Sequence, residues 1–322
     1  MSDIYVRPYD SGKRGSNRGL LIAVVLAFFL GGVLWWWSSR QAKEPKQLDA
    51  VVAGESAAAK VMESKVAEEI VKQVPSVKQS AQIDVNKRFA SAQSLIASGK
   101  LIEASKLLDE VISTTSDANL KNSALRMQGR ANMDLFLSDV PTDQKKSYVI
   151  QPGDSLDRIA KKNNTTVALL RRMNGIKGTL IYPGARLLVP AAAFVIKVDK
   201  SDRTLDLMIG GKRLKRYSIG VGQYGKTPTG TFLTVVHQSN PDWTPPSGGI
   251  VKFGDSRNVL GTRWMSFEDK TRPEFKGYGI HGTADRTSIG GETSNGCIRM
   301  LNEDVEEVFL LIPRGTQIVI SE

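Results

Sequence analysis

The hydrophobic pattern begins with one long apolar run and then changes to helical and strand-like spacings. The run is LLIAVVLAFFLGGVLWWW, residues 20–37, and contains no charge. As an α-helix it measures about 27 Å, close to the roughly 30 Å hydrocarbon core of a bilayer, so it predicts a transmembrane helix. A cleaved signal peptide is the alternative. Its apolar stretch is usually shorter, and bulky tryptophans stand here where a cleavage site needs small residues.

The flanks of this run predict its orientation. The tail 1–19 carries several basic residues, so the positive-inside rule places it in the cytoplasm, although Arg40, Lys43 and Lys46 weaken the asymmetry. Residues 38–82 contain no aromatic residue and are rich in Ala, Lys, Glu, Gln and Val, which is typical of a partly helical linker or stalk. We therefore expect a single-pass protein of the plasma (inner) membrane whose C-terminal part is extracytoplasmic or periplasmic.

Apolar residues recur at helical spacing over the segment 83–138. Two such runs flank the turn Ser98-Gly99-Lys100, and a third covers Leu120 to Leu137. This small helical segment resembles a single tetratricopeptide-like unit, and a plain helical spacer is the simpler alternative. One such unit cannot bury both of its faces, so we expect it to pack on a neighbouring domain or on a partner protein.

The pattern turns strand-like from residue 194 onwards. Predicted strands cover Phe194–Val198, Thr204–Ile209 and Arg213–Ile219, separated by Gly or Asp turns. The following GVGQYGKT, residues 220–227, fits both nucleotide-binding glycine motifs, but either motif requires a helix to start there. A β-branched run follows instead, which predicts a glycine-rich turn between strands. A helix is expected near the end, with Asn302 as its cap and Pro313 after it.

The charge balance restricts the class of partner. The 322 residues are enough for two or three domains, and 44 Lys and Arg against 33 Asp and Glu give a net charge of +11. Such an excess favours anionic partners or simply solubility. Because no nucleic-acid-binding module is visible, we interpret the charge as adhesion to an acidic wall and membrane, with no nucleic acid as partner.

The single cysteine of the chain, Cys297, lies sixteen residues after His281, one of only two histidines. One Cys and two His do not form a zinc-ligand spacing, so we expect no metal and no cofactor. A thiol with a neighbouring imidazole is typical of nucleophilic acyl transfer, and the amides of Gly296 and Cys297 are candidates for holding an oxyanion. The alternative is a small buried thiol and a core histidine.

The segments His281-Gly282-Thr283 and Ser294-x-Gly296-Cys297-x-Arg299 follow the runs at 217–222, 226–232 and 260–265. Together, in this order, they resemble the YkuD-type catalytic domain of the L,D-transpeptidases, which make 3→3 cross-links in peptidoglycan. The resemblance implies a mainly-β catalytic domain over residues 194–321.

In this resemblance Cys297 is the nucleophile and His281 the general base. The carbonyl of Gly282 orients the imidazole, while Ser294 and Arg299 support the site. Arg299 either holds a substrate carboxylate or is a structural ion-pair partner. Many family members have a histidine at the position of Asn295, so His281 should be the base alone.

Residues 147–190 resemble a LysM domain, a small α+β module of βααβ topology. The matching pattern runs from Tyr148-x-Ile150 through Asn174-Gly175 to Leu187-x-Val189-Pro190. The resemblance implies binding of N-acetylglucosamine-containing glycans between two loops, although a small module can also serve as a spacer. The implied glycan-binding residues are Gly153, Asp154, Ser155, Leu156, Ile181, Tyr182 and Pro183.

The expected protein is therefore multidomain, with an N-terminal membrane helix, a helical segment, a LysM domain and a transpeptidase domain. The resemblance implies that the Cys297 thiolate attacks the diaminopimelate–D-Ala bond of a tetrapeptide stem and releases D-Ala. The acyl group then passes to an amine, or to water in an L,D-carboxypeptidase. A non-catalytic, membrane-anchored peptidoglycan-binding protein is the alternative, and the intact set of site residues argues against it.

Overall fold

A computed structural model describes residues 82–322 of the chain. The predicted tail at 1–19, the predicted transmembrane helix at 20–37 and nearly all of the linker lie outside the described residues. From residue 82 to the C-terminus, no helix is long and apolar enough to cross a membrane.

The first described part is a group of three helices, as the apolar spacing predicts. Helix α1 covers residues 82–97, α2 is Leu101–Thr114 and α3 is Ala118–Leu137. Asp117 begins α3 because its carboxylate accepts hydrogen bonds from the N–H groups of Asn119 and Leu120. Buried residues of all three helices form one small core.

The next part has the predicted βααβ order. Strand β1 (Lys145–Val149) pairs antiparallel with β2 (Arg186–Pro190), and helices α4 (Leu156–Lys162) and α5 (Val167–Met173) lie between them in the chain. Ser155 and Thr166 cap the two helices because their side-chain oxygens accept hydrogen bonds from backbone N–H groups of the first turns.

The C-terminal part is built on an eight-stranded sheet with the order β11-β9-β8-β7-β12-β3-β4-β5. Strands β6 and β10 form a separate two-stranded parallel pair. The bounds are β3 Phe194–Asp199, β4 Thr204–Ile209, β5 Lys212–Ser218, β6 Val221–Gly222, β7 Gly230–Ser239, β8 Arg263–Glu268, β9 Gly279–Thr283, β10 Glu292–Ser294, β11 Ile298–Leu301 and β12 Gln317–Ser321.

One helix, α6 (Asn302–Leu311), follows β11 directly and buries Val305, Val308 and Leu311 against the sheet. The expected cap by Asn302 is wrong. Asn302 is the first residue of the helix, and its side-chain oxygen accepts a hydrogen bond from the N–H of Thr262 instead. Asn302 therefore ties the loop before β8 to the helix.

The three-helix group packs on the sheet. Phe136 at the end of α3 meets Phe194 of β3 edge-to-face, with ring centroids 5.9 Å apart. Further up α3, Gly129 lies against the edge strand β5, where an added Cβ would come within 2.8 Å of the Lys215 Cγ. Within the described residues, the neighbour of this helical unit is thus the eight-stranded sheet of the same chain.

The βααβ domain packs on the same body through α5. Leu169 and Met173 join the main hydrophobic core, and the Thr166 hydroxyl donates a hydrogen bond to the carbonyl of Leu310 in α6. Thr166 thus caps α5 and joins the two domains with one side chain.

Candidate active site

The parallel pairing of β9 with β11 brings the histidine and the cysteine together. Ile298 pairs with Ile280 and Arg299 with His281. Cys297 precedes Ile298, so it lies beside Gly279, which is two residues before His281. Side chains alternate between the two faces of a strand. Ile280 and Ile298 therefore enter the core, while His281, Cys297 and Arg299 line one cleft on the other face.

The second histidine lies on the opposite face of the sheet. His237 of β7 pairs with Met265, a core residue, and its ring lies 5.5 Å from that of Phe309 in α6. The arrangement leaves His281 as the imidazole that shares a cleft with the thiol, in agreement with the expectation from Asn295.

The imidazole of His281 is held in one tautomer. Its Nδ1 lies 2.8 Å from the carbonyl oxygen of Gly282, and a carbonyl only accepts hydrogen bonds. Nδ1 therefore carries the proton, and Nε2 of the neutral ring keeps a lone pair that can take a proton from a thiol. This is the orienting contact that the resemblance implies for Gly282.

Burial keeps both partners neutral. His281 is 2% exposed. Loss of solvation lowers the pKa of its imidazole to about 4, with a smaller lowering from the Arg299 charge, while the Gly282 carbonyl opposes the shift. Burial also raises the pKa of the Cys297 thiol, and a hydrogen bond from the Gly279 backbone and the charge of Arg299 oppose that rise. At rest the cleft holds a neutral thiol, whose Sγ lies 3.9 Å from the carbonyl oxygen of Gly277, and a neutral imidazole.

Ser294 closes the turn that carries the cysteine. Its hydroxyl donates to the carbonyl of Cys297 at 2.6 Å and accepts from the N–H of Gly296 at 3.0 Å. The Gly296 N–H is therefore occupied in this arrangement, and its role as an oxyanion donor stays a prediction. The turn needs glycine because its φ is +125° and an added Cβ would lie 2.5 Å from the Tyr278 ring.

Arg299 makes no ion pair with any residue of 82–322. One guanidinium nitrogen donates to the Thr293 hydroxyl at 3.0 Å, and its buried Nε has no partner. The structural ion-pair alternative is therefore not observed within the described chain. The charge remains available to an anionic group in the cleft.

The cleft has a volume of about 540 Å³. Its walls combine aromatic side chains of Trp243, Trp264 and Tyr278 with the charged side chains of Glu274, Lys276 and Arg299. An elongated ligand that carries both amines and carboxylates matches this mixture of apolar and charged walls.

The sequence does not reveal several residues of the cleft, among them Trp243, Trp264 and Tyr278. Trp264 of β8 pairs with His281, with the ring centroids 6.1 Å apart, and Gly279 leaves room for the indole because an added Cβ would lie 2.5 Å from it. The signal was present in part, since Trp264 falls in one of the resembling runs. Its cross-strand partner depends on a register that the sequence does not reveal.

The glycine-rich run 220–227 contains β6 and most of the predicted turn that leads to β7, with a single turn of 3₁₀-helix at Gln223–Gly225 and no α-helix. Its residue Thr227 is fully buried and hydrogen-bonds to the carbonyl of Gly296. The nucleotide-like motif is thus part of the frame around the cysteine.

The glycan-binding residues implied for the LysM domain fall into two groups. Leu156 has its side chain buried in the LysM core, and Asp154 is engaged by the Tyr148 hydroxyl and the Gln151 N–H. Ser155 caps α4 through its side chain, and Ile181 packs against the core. Gly153, Tyr182 and Pro183 are exposed. The two loops meet where the Gly184 N–H donates to the carbonyl of Ile150.

Metal-ligating side chains do not cluster within residues 82–322 in any group of three or more. The chemistry of the cleft derived above uses the chain's own thiol, imidazole, guanidinium and backbone groups.

Comparison with known proteins agrees with both domains. The family profile of the L,D-transpeptidase catalytic domain, YkuD, matches residues 193–320, and the LysM profile matches residues 148–190. A solved L,D-transpeptidase from Mycobacterium smegmatis is 16% identical, with a TM-score of 0.34 over 43% of this chain and 64% of that one.

Sequence relatives are more similar. The protein described as L,D-transpeptidase YkuD of Bacillus licheniformis is 34% identical over 182 residues, which cover 54% of this chain and 98% of the relative. L,D-transpeptidase YqjB of Bacillus subtilis is 35% identical over 143 residues, 44% of this chain and 78% of the relative. The chain therefore belongs to the YkuD family of L,D-transpeptidases, cysteine-dependent acyltransferases, and joins the catalytic domain of that family to a LysM domain.

Proposed function

We propose that the enzyme cleaves the bond between the L-centre of diaminopimelate and the terminal D-Ala of a tetrapeptide stem in peptidoglycan. The observation that carries this proposal is the shared cleft, in which a thiol lies near an imidazole whose Nδ1 is bound to the Gly282 carbonyl. That tautomer leaves Nε2 as the acceptor, so His281 is the group suited to remove the thiol proton.

The reaction proceeds in two steps. The Cys297 sulfur attacks the carbonyl carbon as His281 Nε2 takes the thiol proton, and the carbonyl electron pair moves to oxygen. The C–N bond then breaks, and the protonated imidazole returns the proton to the departing amine of D-Ala. A second amine attacks the thioester, loses its proton to His281 and releases the thiol. Water in place of that amine gives the L,D-carboxypeptidase reaction.

Arg299 is proposed to hold the carboxylate of the departing D-Ala. Arg299 pairs with His281 across β11 and β9 and lines the same cleft as Cys297, so it lies close to the reacting atoms. A guanidinium fork matches the geometry of a carboxylate, and within residues 82–322 Arg299 has no acidic partner that would compete.

The remaining parts of the chain are proposed to hold the catalytic domain on its substrate. The LysM domain would bind glycan strands through its exposed loop residues, and residues 20–37 would anchor the protein in the plasma membrane. Tethering an enzyme to a polymer raises the effective concentration of the reacting groups.

Replacing the nucleophile is the first test. We expect a carbapenem, as an acylating mimic of the stem peptide, to add once per chain on Cys297, as measured by mass spectrometry of the intact protein. Cys297→Ala should lose both this adduct and D-Ala release from tetrapeptide, because the chain has no second thiol. His281→Ala should slow acylation on the order of 10²–10⁴-fold.

His237→Gln is the matched control, since His237 lies on the other face of the sheet and should leave acylation unchanged. A folded wild-type protein that forms no adduct and releases no D-Ala would favour the non-catalytic anchor.

The pH dependence of acylation is the second test. His281 must be neutral to accept a proton, and its pKa of about 4 keeps it neutral far below the usual value of 6.5. We therefore expect kcat/KM for acylation to stay level from pH 8 down to about 5 and to fall only near about 4. A midpoint near 6.5 would contradict the assignment.

Stability must be followed in the same experiment. Because the unfolded imidazole takes up a proton at higher pH than the folded one, the free energy of unfolding decreases as pH falls from 6.5 towards 4. His281 alone contributes a loss of about 3 kcal/mol by this reasoning. Circular dichroism at each pH separates loss of activity from loss of the fold.

A third test concerns the LysM loops. Tyr182 is 64% exposed in the second loop, and an exposed aromatic side chain is a typical ligand contact. We expect Tyr182→Ala to weaken co-sedimentation with purified peptidoglycan by about tenfold. Ile83→Ala, at an exposed apolar residue of α1 outside both the LysM domain and the catalytic domain, is the control. Equal binding by both variants would place the wall contact elsewhere.

The fourth test concerns the apolar run. The full-length protein should sediment with membranes and resist extraction by high salt, because apolar burial in lipid is not screened by ions. A chain that begins at residue 41 should be soluble. Recovery of the full-length product as a soluble, N-terminally trimmed protein would show a cleaved signal peptide.

A further inference from the structure

The glycine-rich run 220–227 lies directly against the turn that carries the cysteine. Gly222 pairs with Ser294 where β6 meets β10. The two backbones approach so closely that an added Cβ on Gly222 would lie 2.6 Å from the Gly296 Cα. A segment in this position can influence the reacting thiol through the backbone of the turn.

Thr227 is the side chain that connects the two segments. It is fully buried, its hydroxyl oxygen accepts the N–H of Gly222 at 2.8 Å, and the same hydroxyl donates to the carbonyl of Gly296 at 2.9 Å. Both hydrogen bonds are internal and shielded from water. The first bond holds the Thr227 hydroxyl in place, and the second holds the Gly296 carbonyl towards it. The plane of the peptide between Gly296 and Cys297 is thereby fixed.

The orientation of that peptide decides where the Cys297 N–H points. In a trans peptide the carbonyl and the following N–H point in opposite directions. Since the Gly296 carbonyl is turned towards Thr227, the Cys297 N–H is turned away from it.

Ser294 already occupies the Gly296 N–H and the Cys297 carbonyl. Within residues 82–322, the Cys297 N–H donates no hydrogen bond to another backbone group. This N–H is therefore the amide of the turn that is free to donate a hydrogen bond to a substrate oxygen.

We propose that Thr227 is a positioning residue, which aims the Cys297 N–H at the oxyanion that forms when the thiol attacks the substrate carbonyl. The inference rests on the proposed acyl transfer at Cys297 and adds the element that orients its oxyanion donor. Thr227 touches neither the substrate nor the sulfur. It acts on the reaction only by fixing the orientation of the peptide between Gly296 and Cys297.

If Thr227 has this role, its hydroxyl should affect the rate of acylation of the Cys297 thiol but not the rate of its alkylation. Attack on a carbonyl develops negative charge on oxygen, which an aimed N–H stabilises. Displacement of iodide from iodoacetamide by the thiolate develops no oxyanion, so it depends on the thiol and its base alone. Loss of the Thr227 hydroxyl should therefore slow the first reaction and spare the second.

The test compares Thr227→Val, which keeps the shape and removes the hydroxyl, with Thr227→Ser, which keeps the hydroxyl. Thr229→Val, at an exposed threonine two residues away, is the matched control. For each full-length protein, the rate constants of acylation by a carbapenem and of alkylation by iodoacetamide are measured across pH. D-Ala release from tetrapeptide and the melting temperature are measured as well.

We expect Thr227→Val to slow acylation and D-Ala release on the order of 10–100-fold, somewhat less than complete loss of an oxyanion donor. The loss should appear in kcat with KM little changed. The alkylation rate and its pH profile should stay at wild-type values, and Thr227→Ser should recover most of the acylation rate. Thr229→Val should behave as wild type.

Two outcomes would overturn the proposal while leaving the acyl transfer intact. One is a folded Thr227→Val protein that acylates at the wild-type rate. The other is a parallel loss of acylation and alkylation, which would show that Thr227 only keeps the turn folded. A wild-type protein that neither acylates nor releases D-Ala would instead refute the proposed function, and this inference with it.

Discussion

The parallel contact between β9 and β11 is the interaction on which the site depends, because it converts two distant sequence motifs into neighbours. Ile280 and Ile298 pair across the two strands and are both completely buried, so the core holds the register. A shift of one residue would turn His281 or Cys297 into the core. The hydrophobic face of these strands thus determines the geometry of their catalytic face.

Burial then sets the chemical state of the pair. The packing that fixes His281 also excludes solvent from its imidazole, which lowers the imidazole pKa. Burial of the Cys297 thiol raises the pKa of that group. An ion pair of thiolate and imidazolium is therefore disfavoured at rest. Charge develops when a substrate carbonyl is attacked, in a cleft that holds the Arg299 guanidinium. Separation of charge is thus coupled to the reaction rather than present before it.

The helical unit and the LysM domain are not independent attachments within the described part of the chain. Both contribute residues to the main core, Met133 and Phe136 from α3 and Leu169 and Met173 from α5. Apolar surface shared in this way opposes free movement of the domains. A glycan held by the LysM loops would then lie in a defined direction from the catalytic cleft.

The amino-acid sequence by itself determined the local elements. The helical spacing, the caps at Ser155 and Thr166, and the strands β3, β4 and β5 follow from periodicity and side-chain hydrogen bonding between near neighbours. The resemblance also placed Cys297 and His281 in the candidate site, because the residues around them are similar to segments of the family. The direct contact of Gly282 with the His281 ring joins adjacent residues, so it too was within reach of the sequence.

Only the tertiary structure determined which backbone N–H groups near Cys297 are free to bind a substrate oxygen. The motif predicts Gly296 as an oxyanion donor, yet Ser294 takes that N–H, and Thr227, sixty-nine residues earlier, takes the Gly296 carbonyl. The pairing of Trp264 with His281 and the packing of α3 on β5 are long-range in the same sense. Such contacts depend on strand register and on which faces meet in the core, and neither is encoded by the spacing of residues within one segment.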